Sequence, residues 1–373
     1  MKIGFDAKRA FNNAAGLGNF SRNTIRALSR QFPNDRYYLF HPACKHPLFI
    51  PPENTFEINP SGFFWRKFGS AWRRYRVGRI AKSLGLDVFH GLSHELPVWI
   101  DKSDIRTVVT IHDLIYLRLP EYYPQIDRKI YNQKFRHACK VATRIHAISE
   151  QTKQDLISFF SVPEEKIRVI YQSVNPVFFE RVEAGKKQVL RKKYQLPQRF
   201  ILSVGTIEPR KNLLGLLEGM TLAKTYIPLV VVGKLTDYQR KVQKFIEADL
   251  NRLDVFFLSK VKDEELATLY QMAEAMVYPS FFEGFGLPVA EAQASGCPVI
   301  CSFTSSLPEV GADAALYINP DKPLEIGQAI ERMLSDEELR DSLIEKGLAN
   351  AQRFTPATFA RQLKQLYNSL PDE

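Results

Sequence analysis

The 373-residue chain is predicted to be an α/β protein built from two Rossmann-like domains. Short apolar runs alternate with helix-length amphipathic segments, the rhythm of parallel sheets covered on both faces. About six such runs fall in each half, and at roughly 100–200 residues per domain the length suits two domains. The charge divides as well. Residues 1–200 carry 34 Lys and Arg against 17 Asp and Glu, whereas 201–373 carry 17 against 24. A sign reversal near the middle points to two domains with different partners.

In the first half, apolar runs predict strands at 2–6, 37–41, 87–90, 106–111, 144–147 and 167–170. In the second half they predict strands at 200–204, 229–232, 255–258, 275–278, 299–302 and 316–318. Amphipathic segments between them predict helices at 18–30, 151–160, 213–223, 263–273 and 288–294. Residues 182–193 are polar and basic, and Pro197 precedes a fresh apolar strand. The expected organisation is therefore an N-terminal domain at 1–175, a linker at 176–196 and a C-terminal domain at 197–355. The tail reads as helical with a break at Thr355-Pro356. Its last part, 356–373, is expected to be a helix crossing back to the N-terminal domain.

Composition excludes several classes. Hydrophobic residues make up 45% and charged residues 25%, which is incompatible with intrinsic disorder or collagen-like structure. No stretch approaches the ~20 apolar residues of a membrane-spanning helix. The start, Met1-Lys2-Ile3-Gly4-Phe5-Asp6, does not read as an export signal. Cys44, Cys139, Cys297 and Cys301 form no CxxC, and Cys297 and Cys301, four apart, have no His or Cys cluster beside them. Reduced thiols, a cytoplasmic location and no metal site are expected.

Four segments could carry chemistry. In Ala15-Gly16-Leu17-Gly18-Asn19-Phe20-Ser21, two glycines precede a helix whose first N–H groups could meet an anion; a tight strand-to-helix turn is the other reading. Val204-Gly205-Thr206-Ile207-Glu208-Pro209-Arg210-Lys211-Asn212 follows the first strand of the second domain. There Arg210 as a fork and Lys211 as a point charge suit phosphate oxygens, although a solvated basic turn would look alike. In Pro279-Ser280-Phe281-Phe282-Glu283-Gly284-Phe285-Gly286-Leu287-Pro288-Val289-Ala290-Glu291, a glycine loop leads into a helix with Pro288 near its start. The amides of Phe285, Gly286 and Leu287 would cradle a diphosphate. Glu291, placed in the first helical turn, could accept hydrogen bonds from a ribose diol. Glu283, too close to phosphate to tolerate it, suits the hydroxyls of an attached sugar; a helix-dipole partner at Glu291 and a solvated loop carboxylate at Glu283 are the other reading. In Thr110-Ile111-His112-Asp113-Leu114, His112 at a strand end could donate a hydrogen bond or move a proton; a purely structural histidine fits the same pattern.

Together these segments resemble the GT-B glycosyltransferases, and within them the retaining family 4. The diagnostic pattern is the glutamate pair around a G-F-G-L-P core, here Glu283-Gly284-Phe285-Gly286-Leu287-Pro288-Val289-Ala290-Glu291. The resemblance spans nearly the whole chain. It implies two Rossmann-like domains facing each other across a cleft, with the donor mainly on the second and the acceptor mainly on the first. It implies that Gly16, Leu17 and Gly18 close over the donor phosphates. Gly205, Thr206, Arg210, Lys211 and the amides of Phe285 to Leu287 would hold the diphosphate. Glu291 would hold the ribose, Glu283 the sugar, and the segment around Val261 the base. His112 would sit at the catalytic centre. Many family members have Arg where this chain has Thr206, and Arg210 is expected to supply that guanidinium.

The implied reaction moves a sugar, mannose-type favoured by the E-P-R-K-N variant, from a nucleotide-diphosphate donor to a hydroxyl. The acceptor would be a glycan or lipid-linked sugar in bacterial surface-polysaccharide assembly. No Asp-x-Asp occurs, so no metal and no other cofactor is expected. Another GT-B enzyme such as a sugar-nucleotide epimerase, or a non-catalytic two-domain nucleotide-sugar binding protein, are the alternatives. In 65–82, Trp65, Phe68, Trp72 and Tyr75 recur at helical spacing among seven Lys and Arg. One amphipathic helix is expected there, lying on an anionic membrane surface at the inner face of the cytoplasmic membrane; packing of its aromatics on the sheet is the competing reading. No nucleic-acid motif accompanies the charge, so no nucleic-acid partner is expected.

Overall fold

A computed structural model describes residues 1–44, 46–248 and 253–371. By its contacts the chain divides into two units. Unit 1 comprises Met1–Ser173 and Pro356–Glu373, and unit 2 comprises Val174–Thr355.

Unit 1 is built on seven parallel strands: β1 (Lys2–Asp6), β2 (Arg36–Phe40), β3 (Thr55–Ile58), β4 (Val88–Gly91), β5 (Arg106–Ile111), β6 (Arg144–Ala147) and β7 (Ile167–Val169). Their order is β3-β2-β1-β4-β5-β6-β7. Alternate residues feed two cores, as the period of two in a strand requires. Ile3, Phe5, Leu39, Val88 and Val108 pack on one side with the C-terminal helix Pro356–Asn368. Phe40, Phe89, Val109, Ile111 and Ile145 pack on the other. The C-terminal helix lies against helix Gly16–Gln31, both contributing buried apolar faces.

Unit 2 has six parallel strands: β8 (Ile201–Val204), β9 (Leu229–Val232), β10 (Val255–Leu258), β11 (Ala275–Tyr278), β12 (Val299–Ser302) and β13 (Leu316–Ile318). Their order is β10-β9-β8-β11-β12-β13. Leu229, Val230 and Val231 are buried like the run in β11, because helices cover both faces of a parallel sheet.

Four local expectations need correction. Strand β3 was not foreseen, since its TFEI sequence forms a half-exposed edge strand without a clear apolar period. Helix Gln125–Val141 was also missed; only Phe135, Ala138 and Cys139 are buried along its length. Residues 176–196 are not a free linker. They hold the helix Ala184–Tyr194 and the turn Pro176–Phe179, and they belong to unit 2 through bonds such as Val182 N to Gln271 Oε1 at 2.9 Å. Residues 65–82 are not one helix but parts of three, Phe63–Lys67, Gly69–Tyr75 and Val77–Ser83. The chain breaks at Phe68, so that Gly69 comes against Pro42, where a Cβ would lie 2.9 Å from its ring. Trp72 is buried against Phe40, whereas Phe63, Phe64, Phe68 and Tyr75 stay exposed.

Candidate donor-binding and catalytic site

In unit 2 the strand order reverses between β8 and β11, which pair with Leu202 opposite Met276. A crevice at the carboxyl ends of such strands is the usual ligand position in open α/β sheets. Gly205 follows β8 at φ +145, a conformation that favours glycine. A short turn, Pro209–Lys211, then presents the two cations, and Asn212 at φ 57 starts the helix Leu213–Leu222. Asn212 Nδ2 donates to the Pro320 carbonyl at 2.8 Å, which anchors the turn.

The side chains converge on one carboxylate. Lys211 Nζ lies 2.6 Å and Arg210 Nη1 2.9 Å from Glu283 Oε1. Lys211 also donates to the Tyr278 hydroxyl at 2.5 Å, and Arg210 to Glu208 at 2.6 Å. The loop that carries Glu283 is fastened from both sides. Phe281 N donates to the Arg210 carbonyl at 3.0 Å, Glu283 N to Ser305 Oγ at 2.9 Å, and Ser306 Oγ to the Phe285 carbonyl at 2.7 Å. Gly286 turns at φ +104 into the helix Leu287–Ala294, and a Cβ there would lie 2.6 Å from Leu307. Gly205 and Thr206 line a small recess with Lys211 and Tyr278.

Charge follows from these distances. Burial works against the Glu283 carboxylate, but Lys211 and Arg210 outweigh it and hold its pKa at about 2. Burial lowers the pKa of Lys211, with Glu283 opposing. For Arg210 burial is overcome by Glu283 and Glu208, so its pKa rises. Two cations thus share one buried counter-ion, and the opposite charges keep all three groups ionised.

Glu291 lies in the second turn of its helix, not the first as expected, because the helix begins at Leu287. Burial, reinforced by Asp263, pushes its pKa up to about 8, while the Tyr270 hydroxyl bond at 3.3 Å opposes. It is therefore largely protonated at neutral pH and able to donate as well as accept. Asp263 opens the helix Asp263–Tyr270 directly after Val261 and Lys262, so the segment around Val261 lies near Glu291.

The other expected residues belong to unit 1. Gly16 and Gly18 are not a loop; they sit in the first turn of helix Gly16–Gln31, with Leu17 between them. A Cβ on Gly18 would lie 1.8 Å from the Asn13 carbonyl, whereas Gly16 faces open space. The first needs glycine for local packing, and only the second leaves room for a ligand. His112 follows β5 and is buried, with Nε2 donating to the Leu92 carbonyl at 3.0 Å. Burial lowers its pKa to about 4, with the Leu92 bond opposing and His146 and Arg9 adding to the fall. Phe20 of the glycine helix meets the His112 ring edge-on at 4.6 Å, which ties the two segments together.

A network around His112 was not foreseen. His90 Nε2 and His146 Nδ1 both meet Thr110 Oγ1, at 2.8 and 3.0 Å, and His146 Nε2 donates to the Ile170 carbonyl at 2.8 Å. His94, at φ 62, stacks on Phe135 and lies 5.1 Å from His112. The available signal was that all seven histidines fall before residue 147. Tyr278 and Tyr270 were also missed, being tyrosines in apolar surroundings with no motif of their own.

Comparison with known proteins decides the family. Residues 14–178 match the family model Glycosyltransferase Family 4, and residues 186–349 match Glycosyl transferases group 1. The O-antigen chain mannosyltransferase B of Escherichia coli is 34% identical over 387 residues, covering 99% of this chain and 100% of that protein. The chain belongs to the group 1 glycosyltransferases. Solved structures share its fold. A sucrose-phosphate synthase from Thermosynechococcus elongatus superposes with TM-score 0.79 at 21% identity, covering 99% of both chains. Anabaena Alr3699/HepE in complex with UDP and glucose gives 0.76 at 17%, again over 99% of both. This group 1 glycosyltransferase is thus GT-B in fold, and membership of a transferase family sets aside the epimerase and binding-protein alternatives. Among the described residues no helix is long and apolar enough to cross a membrane, and no group of three or more His, Cys, Asp or Glu could hold a metal ion.

Proposed function

We propose that this glycosyltransferase moves a mannose-type sugar from a nucleotide-diphosphate donor to a hydroxyl of a glycan or lipid-linked acceptor in bacterial surface-polysaccharide assembly. The cluster of Lys211, Arg210 and Glu283 at the switch point of unit 2 carries this reading. The O-antigen mannosyltransferase relative supports the sugar and the setting. The diphosphate displaces Glu283 from the two cations, and the freed carboxylate takes hydroxyls of the sugar. The amides of Phe285, Gly286 and Leu287 complete the phosphate cradle. Glu291 holds the ribose, and the segment around Val261 adjoins the base.

In the reaction the bond from the anomeric carbon to the β-phosphate oxygen breaks, and the acceptor oxygen bonds to that carbon on the same face. The acceptor proton passes to the departing phosphate. Lys211 and Arg210 stabilise the charge that grows there, and no divalent ion is given a role. In unit 1, neutral His112 serves as a hydrogen-bonding group at the catalytic centre, and the Gly16–Gly18 turn covers the phosphates.

Membrane contact is assigned to the exposed Phe63, Phe64 and Phe68 with Arg66 and Lys67, placing the enzyme at the inner face of the cytoplasmic membrane. Buried Trp72 takes no part. Co-sedimentation with anionic vesicles at low salt checks this, and replacing Phe63 and Phe64 by serine should abolish it. The function itself is tested by calorimetric titration with GDP, UDP and ADP and their sugars, followed by transfer assays in EDTA. Selective GDP and GDP-mannose binding with activity undiminished by EDTA is expected. Absence of nucleoside-diphosphate binding would overturn the reading.

A further inference from the structure

Strands β11 and β12 are neighbours in unit 2, so the turns at their carboxyl ends come together. Residues 303–306 join β12 to the helix Leu307–Gly311. Their sequence, Phe303-Thr304-Ser305-Ser306, offers three consecutive hydroxyls. All three engage the backbone of the loop after β11. Thr304 Oγ1 donates to the Phe281 carbonyl at 3.0 Å, and Ser306 Oγ to the carbonyls of Glu283 and Phe285 at 3.0 and 2.7 Å. Ser305 Oγ is an acceptor instead, taking the Glu283 N–H at 2.9 Å. Hydroxyls from one turn therefore hold both the N–H and the carbonyl of Glu283.

Ser305 also has an unusual backbone. It sits at φ 55, in the left-handed region that strains a residue with a Cβ and that glycine enters freely. Backbone preference alone favours glycine at this position, so the hydroxyl is what the side chain adds. Outliers of this kind persist where their surroundings hold them, and they gather at functional sites. The turn is anchored at both ends: Phe303 N donates to the Ile318 carbonyl at 3.1 Å, and Leu307 packs against Gly286. From the opposite side Arg210 Nη1 donates to the Phe282 carbonyl at 2.5 Å, and the Arg210 carbonyl accepts from Phe281 N. The Glu283 backbone is thus fixed independently of its carboxylate, which meets Lys211 and Arg210. Once that carboxylate leaves the cations, the pinned backbone limits where it can travel.

We infer that Ser305 is a positioning residue of the transfer reaction: by fixing the Glu283 backbone, it sets where the freed carboxylate meets the hydroxyls of the donor sugar. Ser305 acts through Glu283 and is not itself a catalytic residue. Small errors of placement matter for such a group, since a shift of about 1 Å can cost ~100-fold in rate. Lys211 and Arg210 hold phosphate without help from Ser305. Removing its hydroxyl should therefore separate recognition of the sugar from recognition of the nucleoside diphosphate. The inference rests on the donor reading of Glu283 proposed above.

The test is calorimetric titration of the full chain with GDP and, in parallel, GDP-mannose. If wild type selects UDP or ADP, the same pair of titrations uses that nucleotide and its glucose ester. Ser305→Gly removes the hydroxyl and suits the backbone, so it should keep or raise the melting temperature. It should weaken GDP-mannose about tenfold relative to GDP, the upper end for one hydrogen bond, and keep the affinity for GDP. Ser305→Ala lacks the hydroxyl but retains the Cβ, and it should show the same split. Thr304→Val loses a bond to Phe281 rather than to Glu283 and should leave the ratio of the two affinities as in wild type. An unchanged ratio in both Ser305 variants, an equal fall in GDP affinity, or an equal change of ratio in Thr304→Val would each overturn the role of Ser305. A wild type that binds no nucleoside diphosphate would overturn the donor reading itself, whereas wild-type binding matched by both Ser305 variants overturns only this inference.

Discussion

In unit 1, His90, His112 and His146 lie fully buried at strand ends and stay uncharged. In unit 2, Lys211, Arg210 and Glu283 are nearly as buried and stay charged. The difference is the availability of counter-ions. The histidines meet carbonyl and hydroxyl oxygens, which satisfy a neutral ring but cannot offset an unpaired buried charge costing several kcal/mol. In unit 2 opposite charges lie within 3 Å, and the burial cost is met by attraction. Each unit therefore suits different chemistry. The histidines of unit 1 offer neutral hydrogen-bonding groups, and Lys211 and Arg210 of unit 2 offer cations held by a buried carboxylate.

Acid should separate the two units most strongly. The folded-state pKa values of His112 and His146, both lowered to about 4, lie below the unfolded value near 6.5. The unfolded chain therefore binds protons first, and stability is lost as pH falls from about 6.5 to 4, by up to about 3 kcal/mol per histidine. Glu283, lowered to about 2, contributes stability present above about 4.5 and loses it only below that. All three tryptophans lie in unit 1, so fluorescence melts at pH 7 and pH 5 follow that unit. Unit 1 should melt markedly lower at pH 5, and an unchanged fluorescence midpoint would break the comparison.

The charged cluster should govern turnover. Lys211→Ala and Arg210→Ala are each expected to lose at least ~100-fold in kcat, the scale of removing one oxyanion donor. Near-wild-type rates in both would remove the cluster from the mechanism. Glu283→Gln leaves the two cations with only Glu208 as a charged partner and should cost about 3–5 kcal/mol of stability. Added nucleoside diphosphate should then raise the melting temperature more in the variant than in wild type, because phosphate restores the missing charge.

The smallest effect on ligand binding is expected at Glu291. Its folded pKa is raised to about 8, so the folded state holds the proton more tightly and unit 2 loses stability as pH rises from about 4.5 to 8. Glu291→Gln should flatten that slope and weaken nucleoside-diphosphate binding by about tenfold, the size of one hydrogen bond to a charged or strongly polar group. Hydrogen exchange in β11 and the helix Leu287–Ala294 across that pH range measures the first effect.

Much of the fold was legible in the chain. Twelve of the thirteen strands coincide with short apolar runs, because strands buried on both faces must be apolar along their length. The edge strand β3 and the helix Gln125–Val141 were not legible, being half-exposed elements without a clean apolar stripe. The aromatic spacing of 65–82 misled for a tertiary reason. The helix breaks at Phe68, Gly69 lies against Pro42, and Trp72 is in the core. Gly18 carried an ambiguous signal, since a glycine next to its own backbone looks like one kept open for a ligand.

What the sequence determined by itself is local: the strand rhythm, the loop that turns into the helix at Leu287, and the spacing of Glu283 and Glu291. These depend on neighbours a few residues apart, whose preferences act through backbone sterics and period. Only the tertiary structure decided which groups are charged. Glu283 meets cations 72 and 73 residues earlier in the chain, Glu291 becomes protonated through burial, and His112 becomes neutral for the same reason. Charge state depends on burial and on distances of a few ångströms, and both come into being only when remote segments pack.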